Sequence, residues 1–207
     1  MIPYGTFTFF LVAFIVLLPV IILGFLGKRS YVYNGISTVI MIVIIFSSDT
    51  YNLFGQKYLS VQLISFVIYL IWQVLLIMWY YKSRQKNNTF IKFLIIMILS
   101  ILPLALVKIL QSSWLGGHQI HFHEHKLIEF VGFLGISYVT FKSVQLIMEI
   151  RDGSIKEIKV GKLIQFISFF PTVSSGPIDR YKRFVKDDKK IPTGEQYRGM
   201  VVKAIHM

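Results

Sequence analysis

The chain has 207 residues, of which 55% are hydrophobic and only 15% charged, with a mean hydropathy of +0.63. A soluble domain carries about 25% charged residues, so this is an integral membrane protein. The net charge of +12 does not mark a nucleic-acid binder, because the basic residues are spread over loops between apolar spans. The absence of cysteine excludes disulfides, thiolate metal sites and a Cys nucleophile.

A membrane crossing needs about 20 apolar residues. Residues 4–27 qualify and end at Lys28 and Arg29; Phe7 to Leu26 is too long for a signal-peptide core, lacks a basic leader and reads as a retained anchor. Residues 33–54 form a weaker span, apolar from Ile36 to Phe46 and polar over Ser47 to Asn52. Residues 58–81 end in the aromatic belt Trp79-Tyr80-Tyr81. Residues 90–110 qualify despite Pro103, and residues 127–150 qualify with Glu129 and Lys142 inside them. A basic loop, a broken segment 163–178, a second basic stretch and an amphipathic start at 195–207 complete the chain. There is no internal repeat and no low-complexity tract, so residues 1–207 read as a single membrane domain.

Five crossings place 18 of the 22 Lys and Arg on one side and three (Lys57, Lys108, Lys126) on the other, with Lys142 inside a span. The positive-inside rule then sets the N-terminus outside and makes the weak second span a true crossing. It also requires 163–178 to dip into the membrane and return to the same face. Pro171, Gly176 and Pro177 release backbone groups that lipid cannot satisfy, so this segment must be buried in protein or line a wet cavity.

Two segments carry a family resemblance: Leu134-Gly-Ile-Ser-Tyr-Val-Thr-Phe141 followed by Arg151-Asp-Gly153, and Phe169-Phe-Pro with Ser-Gly-Pro-Ile-Asp-Arg-Tyr up to Phe184. Together they resemble the hallmarks of the membrane-bound O-acyltransferase (MBOAT) family, most closely its D-alanyl transfer branch, the DltB proteins of bacterial teichoic acid D-alanylation. The opening Ile2-Pro-Tyr-Gly and the spacing of the early spans fit the same resemblance.

It implies an all-α, polytopic membrane fold with five helices and a re-entrant motif at 163–184. It implies an enzyme of the bacterial cell membrane that moves D-alanine from a carrier-protein thioester to a teichoic acid hydroxyl. The expected partners are a small acidic D-alanyl carrier protein, the teichoic acid acceptor, other Dlt membrane proteins and the lipid bilayer. No cofactor is expected to be bound tightly; the carrier's phosphopantetheine arm is the acyl donor. The family's catalytic histidine lies in the C-terminal half of its members. No histidine here matches it, so the chain is expected to be the N-terminal portion of a larger enzyme, without a catalytic residue of its own.

The residues singled out by the resemblance as tunnel or motif positions are Gly135, Ser137, Tyr138, Phe141, Lys142, Phe170, Pro171, Gly176 and Pro177. Lys142 has two readings, a tunnel-lining cation or half of an ion pair with another helix. Arg180, with Lys182 and Arg183, either meets a phosphate on the incoming carrier or snorkels to headgroups. Ser174 and Ser175 lack the pattern of a nucleophile elbow and read as helix-breaking residues. His121, His123 and His125 would share a face if extended and are candidate zinc ligands, although with His118 they also read as a polar outer loop. Glu129 reads as interfacial, and Asp152 as a turn residue. A transporter or flippase would also carry broken helices and buried charge, and a membrane subunit without enzymatic activity is the alternative if the chain ends at 207.

Overall fold

The computed structural model describes residues 5, 7–28, 31–46, 61–87, 89–111, 135–173 and 179–206. The described residues are all-α, with no strand among them. In chain order the helices are α1 (Phe7–Phe25), α2 (Tyr31–Phe46), α3 (Val61–Lys86), α4 (Phe90–Gln111), α5 (Ile136–Arg151), α6 (Val160–Ile167), α7 (Tyr181–Lys189) and α8 (Gly194–Ile205), with a 3₁₀ turn at Phe170–Thr172 after α6. Three of them, α1, α3 and α4, are long and apolar enough to cross a membrane, and the architecture is that of a polytopic membrane protein.

Several boundaries differ from the sequence reading. Helix α3 continues past the aromatic belt to Lys86, because Lys82, Arg84 and Lys86 are good helix formers and cations suit the negative end of a helix dipole. Helix α2 ends at Phe46, and residues 47–60 lie outside the described residues. Helix α5 starts at Ile136, after Gly135 adopts φ 89°, and residues 112–134 lie outside the description. The candidate zinc ligands His121, His123 and His125, with His118, fall there, as does Glu129. Among the described residues no group of three or more His, Cys, Asp or Glu could hold a metal ion.

The chain divides into two compact units. The first comprises Met1–Gln56 and Val185–Met207. Within it α1 packs on α2 and α8. Pro19 lies inside α1 and leaves Ile15 C=O without its helical donor; the Ser37 hydroxyl of α2 donates to the next carbonyl, Val16 C=O, at 3.4 Å. Helix α8 begins with a capping box, in which Gln196 N–H donates to Thr193 Oγ1 and Thr193 N–H to Gln196 Oε1. The Tyr197 ring lies edge-on to Phe25 and fills the space that a Cβ at Gly24 would occupy.

The second unit is Lys57–Phe184, with α3, α4 and α5 packed on one another and α6 set against α3 and α5. Its exposed face is apolar, unlike that of a soluble bundle, and its apolar core also holds polar residues. Ile68, Ile71, Leu75, Ile91, Ile98 and Leu102 are exposed, as lipid-facing residues are, while Gln73, Ser100, Thr140, Lys142 and Ser143 are buried. Helix α5 ends in a tight stop. Gly153 takes φ 73°, its N–H donates to Ile150 C=O, and Ser154 N–H donates to Glu149 C=O, the two bonds of a Schellman motif. Asp152 is the C-cap residue before it.

Candidate functional site

Pro171 is the residue from which the site is built. It lacks an N–H, so the carbonyl four residues earlier, that of Ile167, the last residue of α6, has no helical donor. The chain tightens into the 3₁₀ turn, in which Thr172 N–H donates to Phe169 C=O and Val173 N–H to Phe170 C=O. At eight residues α6 is about 12 Å long, far short of a bilayer core of about 30 Å. Leu163, Phe166 and Ile167 share one face of it and are buried.

Lys142 meets this break from α5. Only 2% exposed, it donates from Nζ to Thr172 Oγ1 at 2.6 Å, Phe166 C=O at 3.4 Å and Ile167 C=O at 3.5 Å. Its ammonium also sits 5.8 Å from the centre of the Phe166 ring. Thr172 passes the interaction on, its hydroxyl donating to Phe169 C=O at 3.3 Å. A cation is well placed at this point, because the last carbonyls of a helix carry the negative end of its dipole. Among the described residues the partners at contact distance are neutral oxygens, and the Asp179 carboxylate acts on the same charge from farther away.

Among the other motif residues, Gly135 is the N-cap of α5, Ser137 and Tyr138 are half-buried, and Phe141 is 50% exposed on the side away from Lys142. Phe170 is half-buried and Pro171 exposed. Gly176 and Pro177, with Ser174 and Ser175, lie outside the described residues. Arg180, Lys182 and Arg183 are exposed at the start of α7. Asp179 Oδ1 accepts Arg180 N–H at 2.8 Å and lies 3.8 Å from Arg183 Nε. Glu149 accepts the backbone N–H of Lys182, while its Oε2 is buried with no hydrogen-bond partner among the described residues. Tyr181 is buried edge-on against Phe166, and burial pushes its hydroxyl above the ordinary value of 10.0.

Sequence reasoning missed a second buried cluster. Gln73 Nε2 donates to Tyr69 Oη at 2.7 Å and to Ser100 C=O at 3.0 Å, and Ser100 Oγ donates to Gln73 Oε1 at 2.8 Å. Tyr69 Oη lies 2.7 Å from Thr140 Oγ1, which bonds Ile136 C=O at 2.7 Å. The cluster joins α3, α4 and α5. It also serves Pro103, which leaves Leu99 C=O without its helical donor: Trp72 Nε1 donates to that carbonyl at 3.4 Å. The available signal was Gln73 in an otherwise apolar stretch, spaced four residues from Tyr69.

The basic end of the unit is fixed by Arg151. Its guanidinium stacks 4.3 Å from the Phe93 ring centre and 5.1 Å from that of Phe90, while Arg84 Nε donates to the Arg151 carbonyl at 3.3 Å. Lys142 lies nine residues earlier on α5, about 14 Å deeper along the helix.

Three curated proteins named teichoic acid D-alanyltransferase are similar to the chain. That of Bacillus subtilis (strain 168) is 48% identical over 207 residues, covering 100% of this chain and 49% of the relative. Those of Lacticaseibacillus rhamnosus and Streptococcus thermophilus are 42% and 32% identical, covering 99% and 98% of this chain and 46% and 44% of their own lengths. The chain spans about half the length of the curated relatives it matches. No protein-family model matches it.

Proposed function

We propose that the chain is part of a membrane-bound D-alanyltransferase of the DltB type, which moves D-alanine onto teichoic acid hydroxyls. The observation that carries this reading is 48% identity, over all 207 residues, to a teichoic acid D-alanyltransferase. The two hallmark segments add support, because they meet in the fold through Lys142 and Thr172.

In the reaction, the acceptor hydroxyl oxygen attacks the thioester carbonyl of the D-alanyl donor. A C–O bond forms, the C–S bond breaks, the hydroxyl proton passes to a general base, and the carrier's phosphopantetheine thiolate leaves. By the family resemblance the base is a histidine in the C-terminal half of the enzyme. The part present here contributes the wall of the acyl path, with the short α6 and its 3₁₀ turn as a re-entrant element. Arg180, Lys182 and Arg183 contribute a basic surface for an acidic carrier. The same reading puts the enzyme in the bacterial cell membrane as a multi-pass protein with its N-terminus outside.

The test is genetic and chemical. Removing the protein from its host should abolish alkali-labile D-alanine esters on teichoic acid, and restoring the gene should return them. Ester content that is unchanged by the deletion would contradict the assignment.

A further inference from the structure

Lys142 is a lysine buried at depth, with neutral oxygens as its contact partners among the described residues. A charge there is costly and has to be matched by something it stabilises. Its three acceptors are all products of one event, the end of α6 ahead of Pro171. Ile167 C=O is the carbonyl that Pro171 leaves without a donor, Phe166 C=O is its neighbour in the last turn, and Thr172 Oγ1 belongs to the 3₁₀ turn just beyond. A salt bridge would fix a side chain; two of these three contacts fix backbone.

We propose that Lys142 is a positioning residue: its ammonium replaces the N–H that Pro171 lacks and, with the Thr172 hydroxyl, latches the 3₁₀ turn against α5. The inference rests on the acyl-transfer reading for its functional consequence, but the latch itself does not depend on it. Each part has a distinct job. The charge neutralises the C-terminal end of α6. The four-carbon stem spans from α5 to the break and carries the ammonium to within 5.8 Å of the Phe166 ring centre. The hydroxyl carries the interaction to Phe169 C=O, so the carbonyls on both sides of the bend are engaged. The latch also joins the first hallmark segment, which holds Lys142, to the second, which holds Pro171 and Thr172.

The test uses the full natural protein, purified in detergent and also expressed in its host. Backbone hydrogen exchange is read over the peptide spanning 164–173, and D-alanine esters are read on the host's teichoic acid. K142M keeps the stem and removes the charge, and T172V keeps the shape and removes the hydroxyl. The latch predicts at least tenfold faster exchange over 164–173 in K142M and about threefold in T172V. The double variant should lose less than the product of the two single losses, because the Lys142–Thr172 contact is common to both. K142R, which retains donors, should recover most of the protection. In cells, D-alanine esters should fall at least fivefold in K142M and largely return in K142R.

Wild-type exchange in K142M, or losses that multiply in the double variant, would overturn the latch. Faster exchange with unchanged D-alanine esters would uphold the latch and remove its link to acyl transfer. Esters independent of the protein altogether would sink the functional reading and leave the exchange result standing.

Discussion

Pro103 and Pro171 pose the same problem in the second unit and meet different solutions. Each withholds an N–H from the carbonyl four residues before it, and lipid offers no replacement donor. At Pro103 the helix continues, running on to Gln111, and neutral donors from α3 fill in: Trp72 on Leu99 C=O, and Gln73 and Tyr69 on Ser100 C=O. At Pro171 the helix stops, and a cation from α5 takes the freed carbonyls. The difference lies in the course of the chain around each proline. After Pro103 the next residues keep helical hydrogen bonds, so only one or two carbonyls need help. Ahead of Pro171 the chain leaves the helix, the last carbonyls of α6 lose their helical donors together, and a full charge is matched to the end of a dipole.

The comparison predicts an order of sensitivity. The largest effect belongs to K142M, which should destabilise the protein by about 2–3 kcal/mol in thermal unfolding, the cost of losing a charged donor to buried acceptors. Q73L should cost less, about 1–2 kcal/mol, since interhelical bonds between neutral groups in membranes are individually modest. If Q73L proved the more damaging of the two, the contrast between the prolines would be reversed. G153A should cost about 1 kcal/mol, because φ 73° is a left-handed conformation that Ala resists and its Cβ would meet Arg84 Nη2 at 2.9 Å. W72F removes only the 3.4 Å bond to Leu99 C=O and should cost about 0.5 kcal/mol. The smallest effect concerns pH. The buried Tyr181 hydroxyl ionises less readily in the folded protein than its ordinary value of 10.0, so the unfolded chain releases this proton first. Stability should therefore be unaffected below pH 10 and fall as pH rises above it, and Y181F should lessen that fall.

The two breaks were not equally legible in the sequence. Pro171 announced itself, with Gly176, Pro177 and the basic residues beyond, because proline removes a donor wherever it stands. Lys142 was visible as an oddity for a related reason, a charge in an apolar span, but its partner was not. The sequence suggested a tunnel cation or an ion pair, and the oxygens it binds are backbone and threonine, which no charge pattern marks. The cluster of Tyr69, Gln73, Ser100 and Thr140 was illegible. Each of these residues is common at membrane helix interfaces, and only packing of α3, α4 and α5 makes them one network. Helix ends were misjudged where polar residues extend a helix beyond the apolar stretch, as Lys82 to Lys86 do in α3. The stop of α5 was readable as a turn, with Asp152 as its C-cap and Gly153 as the left-handed residue after it.

The most direct test of the account is a rescue. In K142M/P171A the alanine supplies the N–H that proline withheld, so Ile167 C=O regains a helical donor and no longer depends on Lys142. The thermal unfolding midpoint of the purified natural protein should therefore be higher in K142M/P171A than in K142M, with at least half of the K142M loss recovered. A double variant as unstable as K142M, or less stable, would contradict the claim that this lysine stands in for the missing N–H of Pro171.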